Sequence, residues 1–136
     1  MSPLAVSLTT LPSFLLYFCG GGLLIAGFAL IYTRITPHRE LELIRAGNLA
    51  AAIAMAGALL GFVLPLASVI AHSGHFLDLV VWGAIALVVQ LGGYLCARLL
   101  FPGLSGAIAR GEVAAAVFLA SLSLALGLLS AACMAG

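Results

Sequence analysis

The sequence predicts an all-α integral membrane protein with four transmembrane helices, arranged as two tandem two-helix repeats. Of its 136 residues, 65% are hydrophobic and only 7% are charged, whereas soluble domains carry roughly 25% charged residues. Four apolar stretches, at 12–33, 46–71, 76–101 and 113–135, each reach the roughly 20 residues that a helix needs to cross the bilayer hydrocarbon. The two halves of the chain also align at a fixed offset. Residues 1–136 are therefore expected to form a single membrane domain.

The first stretch is expected to be a retained helix, because the segment before it carries no positive charge of the kind that begins a signal peptide. The arginines then set the orientation. Arg34, Arg39 and Arg45 lie between the first and second stretches. Arg98 and Arg110 flank the connection between the third and fourth. Positive charge marks the cytoplasmic side, so both of these loops are predicted to be cytoplasmic and both termini external.

A short amphipathic helix is predicted at the membrane interface before the second stretch. Thr36 is able to cap such a helix, and Pro37 suits its first position. Glu40 and Glu42 follow at its positive end, which assigns both carboxylates to the surface. Pro102 is expected to open an equivalent helix in the second half of the chain.

An offset of 64 residues aligns the two halves, which we take as repeat units 12–71 and 76–135. It brings Arg34 onto Arg98, and it brings the Gly47-Asn48 pair onto Gly111-Glu112. Each unit holds two helices, so both insert in the same direction. The pattern predicts a tandem duplication with a pseudo-symmetry axis along the membrane normal.

Polar side chains within or at the ends of the apolar stretches mark a candidate ion pathway, because hydrocarbon penalises them unless they face protein or water. Asn48 and Glu112 occupy equivalent positions, where they would bind a cation or relay a proton near the pseudo-two-fold axis. In the alternative, they are first-turn residues paired with Arg45 or Arg110 at the membrane surface. Gln90, near the middle of the third stretch, either bonds a neighbouring helix or lines a hydrated path. Glu112 is the carboxylate without an evident surface role.

Pro65 adds a backbone feature to this pathway. It has no N–H to donate to the Gly61 carbonyl, and Ser68 is expected to meet part of that deficit. An exposed carbonyl at this depth would be able to coordinate an ion, although membrane helices also tolerate prolines that have no transport role. Small residues predict close helix packing, within a monomer or between subunits. They are Gly57, Gly61, Gly20 and Gly22.

Several kinds of site receive no support. A net charge of +1 without a basic run disfavours nucleic-acid binding. His72, His75 and Asp78 recur every three residues, but Ser73 and Gly74 between them are expected to break the helix, so we predict no metal site. No catalytic or cofactor-binding motif is present, and we predict neither an enzyme nor a cofactor. The cysteines are expected to be small buried thiols. They are Cys19, Cys96 and Cys133.

Several runs resemble the YjfL-type bacterial inner-membrane proteins, a family classed as a domain of unknown function. The runs cover nearly the whole chain in order, and they are Thr36–His38, Gly57–Leu66, Trp82–Leu91, Pro102–Ser105 and Ala131–Met134. The resemblance implies a bacterial inner-membrane protein with four helices in two units and no established ligand or reaction. Ser130 stands where the family pattern has Asn.

Two functions remain. The first is an oligomeric ion or small-solute channel or transporter, a homo-oligomer because four small helices do not easily enclose a hydrated path alone. The second is a non-transporting membrane scaffold or envelope-stress component. It would recruit a cytoplasmic protein through Arg39, Glu40, Glu42 and Arg45. In both cases the lipid bilayer is the surrounding partner.

Overall fold

The computed structural model describes residues 3–35, 40–72 and 75–135, and within them every regular element is a helix. In chain order the helices are α1 (Pro3–Ile35), α2 (Glu40–Arg45), α3 (Leu49–His72), α4 (Phe76–Leu100), α5 (Leu104–Ala109) and α6 (Val113–Ala135). Four of them, α1, α3, α4 and α6, are long and apolar enough to cross a membrane. The all-α membrane fold predicted from composition is confirmed.

The bounds of α3, α4 and α6 agree with the apolar stretches within three residues, but α1 is longer than predicted. It begins at Pro3 instead of residue 12 and runs through Pro12 without a break. The residues ahead of Pro12 are also mainly apolar and favour continuing the helix, while Pro3 suits a first helical position. At 1.5 Å per residue α1 is about 50 Å long. A span of that length must tilt or extend beyond a hydrocarbon layer of about 30 Å.

Two short helices, α2 and α5, precede α3 and α6, in agreement with the interfacial helix predicted at each position. Two residues after each of them comes a glycine with a positive φ, 88° at Gly47 and 83° at Gly111, a backbone conformation that favours glycine after a helix. The Gly47 N–H donates to the Ile44 carbonyl, and the Gly111 N–H donates to the Ile108 carbonyl, both at 3.0 Å. The predicted capping residues Thr36 and Pro37, as well as His38 and Arg39, lie outside the described residues.

The bounds of α5 are those of α2 displaced by 64 residues. The next main-chain bond also repeats at that offset. The Asn48 N–H donates to the Leu43 carbonyl at 2.9 Å, and the Glu112 N–H donates to the Ala107 carbonyl at 3.0 Å. The two turns therefore have the same main-chain geometry. The duplication that would explain this likeness stays a prediction.

The core of the bundle is the contact between α3 and α6, which is the most extensive of any helix pair. Added side-chain volume at Gly57 would meet Ala120 of α6, and at Gly61 it would meet the Ser123 carbonyl group. The absence of a side chain thus lets the two helices approach closely. α4 packs against both of them, while α1 packs on α3 and α4 and exposes most of its length.

The two predicted packing glycines of α1 differ from each other. A Cβ at Gly20 would lie 2.6 Å from the Phe76 ring of α4, so Gly20 is at a helix contact. Gly22 has nothing within 4 Å of that position among the described residues.

The two ends of the bundle differ in their polar side chains, after which we name them. The arginine end contains Arg34, Arg45, Arg98 and Arg110, and the histidine end contains His72 and His75.

Candidate functional site

Gln90 is buried in the middle of α4 and bridges the two core helices. Its side chain is 3% exposed. Its Nε2 donates to the Gly61 carbonyl of α3 at 3.0 Å and to the Ser123 carbonyl of α6 at 3.1 Å. Interhelical bonds of this kind contribute about 0.6–2 kcal/mol in membrane proteins. The amide therefore links α3, α4 and α6 at one level of the bundle.

Pro65 explains why a donor is needed at this point. In a regular helix the N–H of residue 65 would donate to the Gly61 carbonyl, but proline has no N–H. Gln90 supplies the missing donor from a neighbouring helix. The expectation that Ser68 contributes is wrong, because its hydroxyl donates to the Ala131 carbonyl of α6 at 3.0 Å. Gly61, Pro65 and Gln90 thus form one hydrogen-bonded junction.

Asn48 holds the two turns at the arginine end together. Its Oδ1 accepts from the Ala51 N–H at 3.1 Å, which caps the start of α3. Its Nδ2 donates to the carbonyls of Ile108 and Ala109 at 3.1 and 3.2 Å. These carbonyls belong to the last residues of α5, where a helix leaves acceptors unfilled.

Glu112 stands at the equivalent position before α6, but on the surface. Its side chain is 52% exposed and lies 3.4 Å from Nη2 of Arg110, itself 66% exposed. An ion pair this exposed contributes about 0–1 kcal/mol. Neither Glu112 nor Asn48 lies near the junction, since Gly61 is thirteen residues along α3 from Asn48, or about 20 Å.

Glu40 is the buried carboxylate of the structure. The expectation that it faces the surface is wrong: only 1% of the residue is exposed. It is the first residue of α2, which packs against α3, and this packing turns the residue inward. Glu40 interacts electrostatically with Tyr32 of α1 and with Tyr94 of α4. We call Glu40, Tyr32, Tyr94 and Ser105 the carboxylate chamber.

Hydroxyl groups from three helices complete the carboxylate chamber. The Tyr94 hydroxyl lies 3.0 Å from Oγ of Ser105 on α5. The rings of Tyr32 and Tyr94 pack edge to face, with their centroids 5.4 Å apart. Arg98 lies at the rim, with Cζ 5.9 Å from the Tyr94 ring centroid. Carboxylate and hydroxyl oxygens are hard donors, which suit a proton or a small hard cation.

An aromatic column separates the carboxylate chamber from the middle of the bundle. Phe62 stacks on Phe28 with centroids 4.5 Å apart, and Phe28 lies 5.5 Å from Tyr32. Phe62 directly follows Gly61, so the column reaches the level of the Gln90 junction. The chamber is therefore closed toward the membrane centre by apolar rings.

Sequence reasoning missed Glu40 because helix-end charges are usually solvated. One signal was available: the 64-residue offset aligns Glu40 with Leu104. A leucine at the equivalent position indicates that this position faces a core, and Leu104 is indeed 1% exposed.

The remaining candidate ligands are dispersed. Among residues 3–35, 40–72 and 75–135, no group of three or more His, Cys, Asp or Glu side chains is placed to hold a metal ion. The expectation of buried thiols is wrong, because all three cysteines are free and exposed on the bundle surface. An exposed thiol on a spanning helix still meets an apolar solvent, so the apolar sequence around each cysteine does not imply burial.

Comparison with known proteins agrees with the resemblance seen in the motifs. Residues 6–134 match the family described as Domain of Unknown Function (DUF350). The chain is similar to the UPF0719 inner membrane protein YjfL of Escherichia coli strain K12, with 42% identity over 127 residues. The alignment covers 93% of this chain and 96% of that protein, and the protein of the same name from Escherichia coli O157:H7 gives the same figures. No solved structure matches.

Proposed function

The chain belongs to the Domain of Unknown Function (DUF350) family, and we propose that it acts as an oligomeric cation or proton transporter of the bacterial inner membrane. The inner-membrane assignment follows the name of the Escherichia coli relative. The observation that carries the proposal is the burial of Glu40 in the carboxylate chamber. Its arginine end faces the cytoplasm in this proposal, in keeping with the positive-inside rule.

The burial of Glu40 marks a place in the fold that accommodates a proton or positive charge beside a carboxylate. A carboxylate removed from water costs several kcal/mol unless a proton, a cation or a paired group offsets that cost. In membrane proteins, ionisable side chains at buried positions commonly mark ion paths and proton relays. Tyr32 and Tyr94 place hydroxyl-bearing rings near the carboxylate, and Ser105 adds a hydroxyl that is 3.0 Å from that of Tyr94.

Oligomerisation is part of this proposal, because the interior of a single bundle is filled. The aromatic column closes the carboxylate chamber, and the Gln90 amide occupies the Gly61 and Ser123 carbonyls. The part of the path that crosses the middle of the membrane is therefore expected to run between subunits, with Glu40 acting at its arginine end. The long exposed side of α1, with Gly22 open to close approach, supports contact with another subunit.

The test is flux through purified protein in liposomes, followed with an internal pH dye or a cation dye under an imposed potassium diffusion potential. We expect flux above protein-free vesicles and at least a tenfold loss in Glu40→Gln. Glu112→Gln is the matched control, because it removes an exposed carboxylate at the same end of the bundle. Its flux should stay within twofold of the unaltered protein.

Two results would contradict the proposal. One is the absence of proton, sodium and potassium flux at every pH and potential tested. The other is equal flux in Glu40→Gln and the unaltered protein. Either result would favour the second function, a scaffold that recruits a cytoplasmic protein. That alternative is supported by the outward face of α2, where Leu41 is 53% exposed and Glu42 and Arg45 are also exposed. Crosslinking from residues 37–45 in cells would then capture the partner.

A further inference from the structure

Two neighbouring cavities at the histidine end differ in polarity and share two lining residues. The first, of about 160 Å³, lies among the ends of three helices and is lined by Val69, His72, Asp78, Trp82 and Met134. The second is an apolar groove of about 400 Å³ between α4 and α6. It is lined by Trp82, Ile85, Val89, Leu126, Leu129, Ser130, Cys133 and Met134. Because Trp82 and Met134 border both, the polar cavity and the groove are adjacent.

The polar cavity carries a negative field. Asp78 is the only acidic or arginine residue between positions 46 and 97, and the four arginines among the described residues lie toward the opposite end of the bundle. Asp78 is half-buried in the cavity wall, where its charge is less screened than at an open surface. The Trp82 indole lines the same cavity, and indole rings attract ammonium groups. This cavity therefore favours a cation.

His72 adds a hydrogen-bond acceptor to the same cavity. Its Nδ1 lies 2.9 Å from the Ser68 carbonyl. A carbonyl oxygen only accepts hydrogen bonds, so Nδ1 carries the proton, and in the neutral imidazole Nε2 is left as an acceptor. A primary ammonium has three N–H donors. Such a group would be able to bond both the Asp78 carboxylate and an imidazole nitrogen.

We propose that the polar cavity and the groove form one binding site for a membrane lipid with a primary ammonium head group, of the phosphatidylethanolamine class. The ammonium binds at Asp78 over the Trp82 ring, and an acyl chain lies along α4 and α6. The Met134 thioether, flexible and polarisable, spans the boundary between head group and chain. The groove continues the polar cavity toward the bilayer interior, as a chain attached to the head group requires.

Trp82 is the single tryptophan of the chain, so its fluorescence reports directly on this site. Purified protein in a non-ionic detergent is titrated with phosphatidylethanolamine, phosphatidylglycerol and phosphatidylcholine of equal chain length. We expect a saturable change in emission with phosphatidylethanolamine, at a Kd at least tenfold lower than for the other two lipids. Ethanolamine without a chain should bind at least tenfold more weakly than the lipid.

Variants test the head-group and chain parts separately. Asp78→Asn should weaken phosphatidylethanolamine binding at least tenfold, whereas Glu42→Gln, an exposed carboxylate at the arginine end, should leave it unchanged. Val89→Phe narrows the groove and should weaken the binding of the lipid without affecting the binding of ethanolamine. Retention of helicity and of a single elution peak distinguishes these losses from misfolding.

Three results would overturn the proposal. The first is equal affinity for the three lipids, and the second is unchanged binding in Asp78→Asn. The third is binding of free ethanolamine as tight as that of the lipid, which would assign the cavity to a soluble amine. The site lies at the opposite end from Glu40, so loss of lipid binding in Asp78→Asn and loss of flux in Glu40→Gln are separate outcomes.

Discussion

The two units of the molecule, α1–α3 and α4–α6, share a main-chain order but differ in the residue that fills the same buried position. Glu40 begins α2 and Leu104 begins α5, sixty-four residues later, and each is 1% exposed. One unit thus buries a carboxylate where the other buries an aliphatic side chain. The difference teaches that a side chain at this position packs into the core in both units. The charge of Glu40 is not needed for that packing, because Leu104 is buried without one.

The same asymmetry extends to the junction around Gln90. The offset aligns Gln90 with Ala26 and Pro65 with Leu129. Pro65 of α3 leaves the Gly61 carbonyl without its helical donor and Gln90 of α4 meets it, whereas the aligned Leu129 and Ala26 offer neither feature. At these two aligned pairs, each residue of the junction therefore has an aliphatic counterpart in the other unit. Exchanges between the units are thus a direct test of what each junction residue does.

The largest expected effect comes from moving the carboxylate into the second unit. Leu104→Glu places an ionisable group at a buried position that has no counterparts of Tyr32 and Tyr94, since the aligned residues are Cys96 and Leu30. We expect a loss of about 3–5 kcal/mol in the free energy of unfolding, the cost typical of an uncompensated buried charge. Denaturant titration of the protein in micelles measures it.

Leu41→Glu is the control for this exchange, because Leu41 is 53% exposed on α2. Its free energy of unfolding should change by less than about 1 kcal/mol, as is usual for surface substitutions. A loss in Leu104→Glu as small as that in Leu41→Glu would mean that water reaches the position of Leu104. The equivalence between the two buried positions would then fail.

A smaller effect is expected at the junction. Gln90→Leu leaves the Gly61 carbonyl without a donor, which should cost about 1–3 kcal/mol. Pro65→Ala restores an N–H four residues after Gly61, so in that background the cost of Gln90→Leu should fall by at least half. A double-mutant cycle on the free energy of unfolding measures this coupling. Additive effects on the free energy of unfolding would show that the contribution of Gln90 does not depend on the absence of an N–H at residue 65.

Much of the fold was predictable from the sequence, because the bilayer constrains it strongly. Span length and apolar composition give α3, α4 and α6 within three residues, since an interrupted span would expose backbone polar groups to hydrocarbon. The N-terminal part of α1 was not predicted, because the first apolar stretch was taken from residue 12 although the segment before it is also mainly apolar.

The site was less predictable, since it depends on which way individual residues turn. Glu40 and Glu112 are both carboxylates at the start of a helical segment, yet one is buried and the other is 52% exposed. The partner of the Gly61 carbonyl likewise depended on tertiary packing: Gln90 is distant in sequence, whereas the neighbouring Ser68 bonds α6. Local sequence does not encode these choices.

The smallest expected effect on stability belongs to Glu40→Leu, which gives the first unit the residue of the second. Replacing a buried charged group with an aliphatic one of similar volume is often neutral or stabilising. We therefore expect a change in the free energy of unfolding of less than about 1 kcal/mol, measured as for Leu104→Glu. A loss above about 3 kcal/mol would make Glu40 a structural residue and remove the energetic basis for its proposed role. A near-neutral variant that also loses flux would assign the carboxylate to transport, because its removal would then leave the fold intact and abolish only the movement of charge.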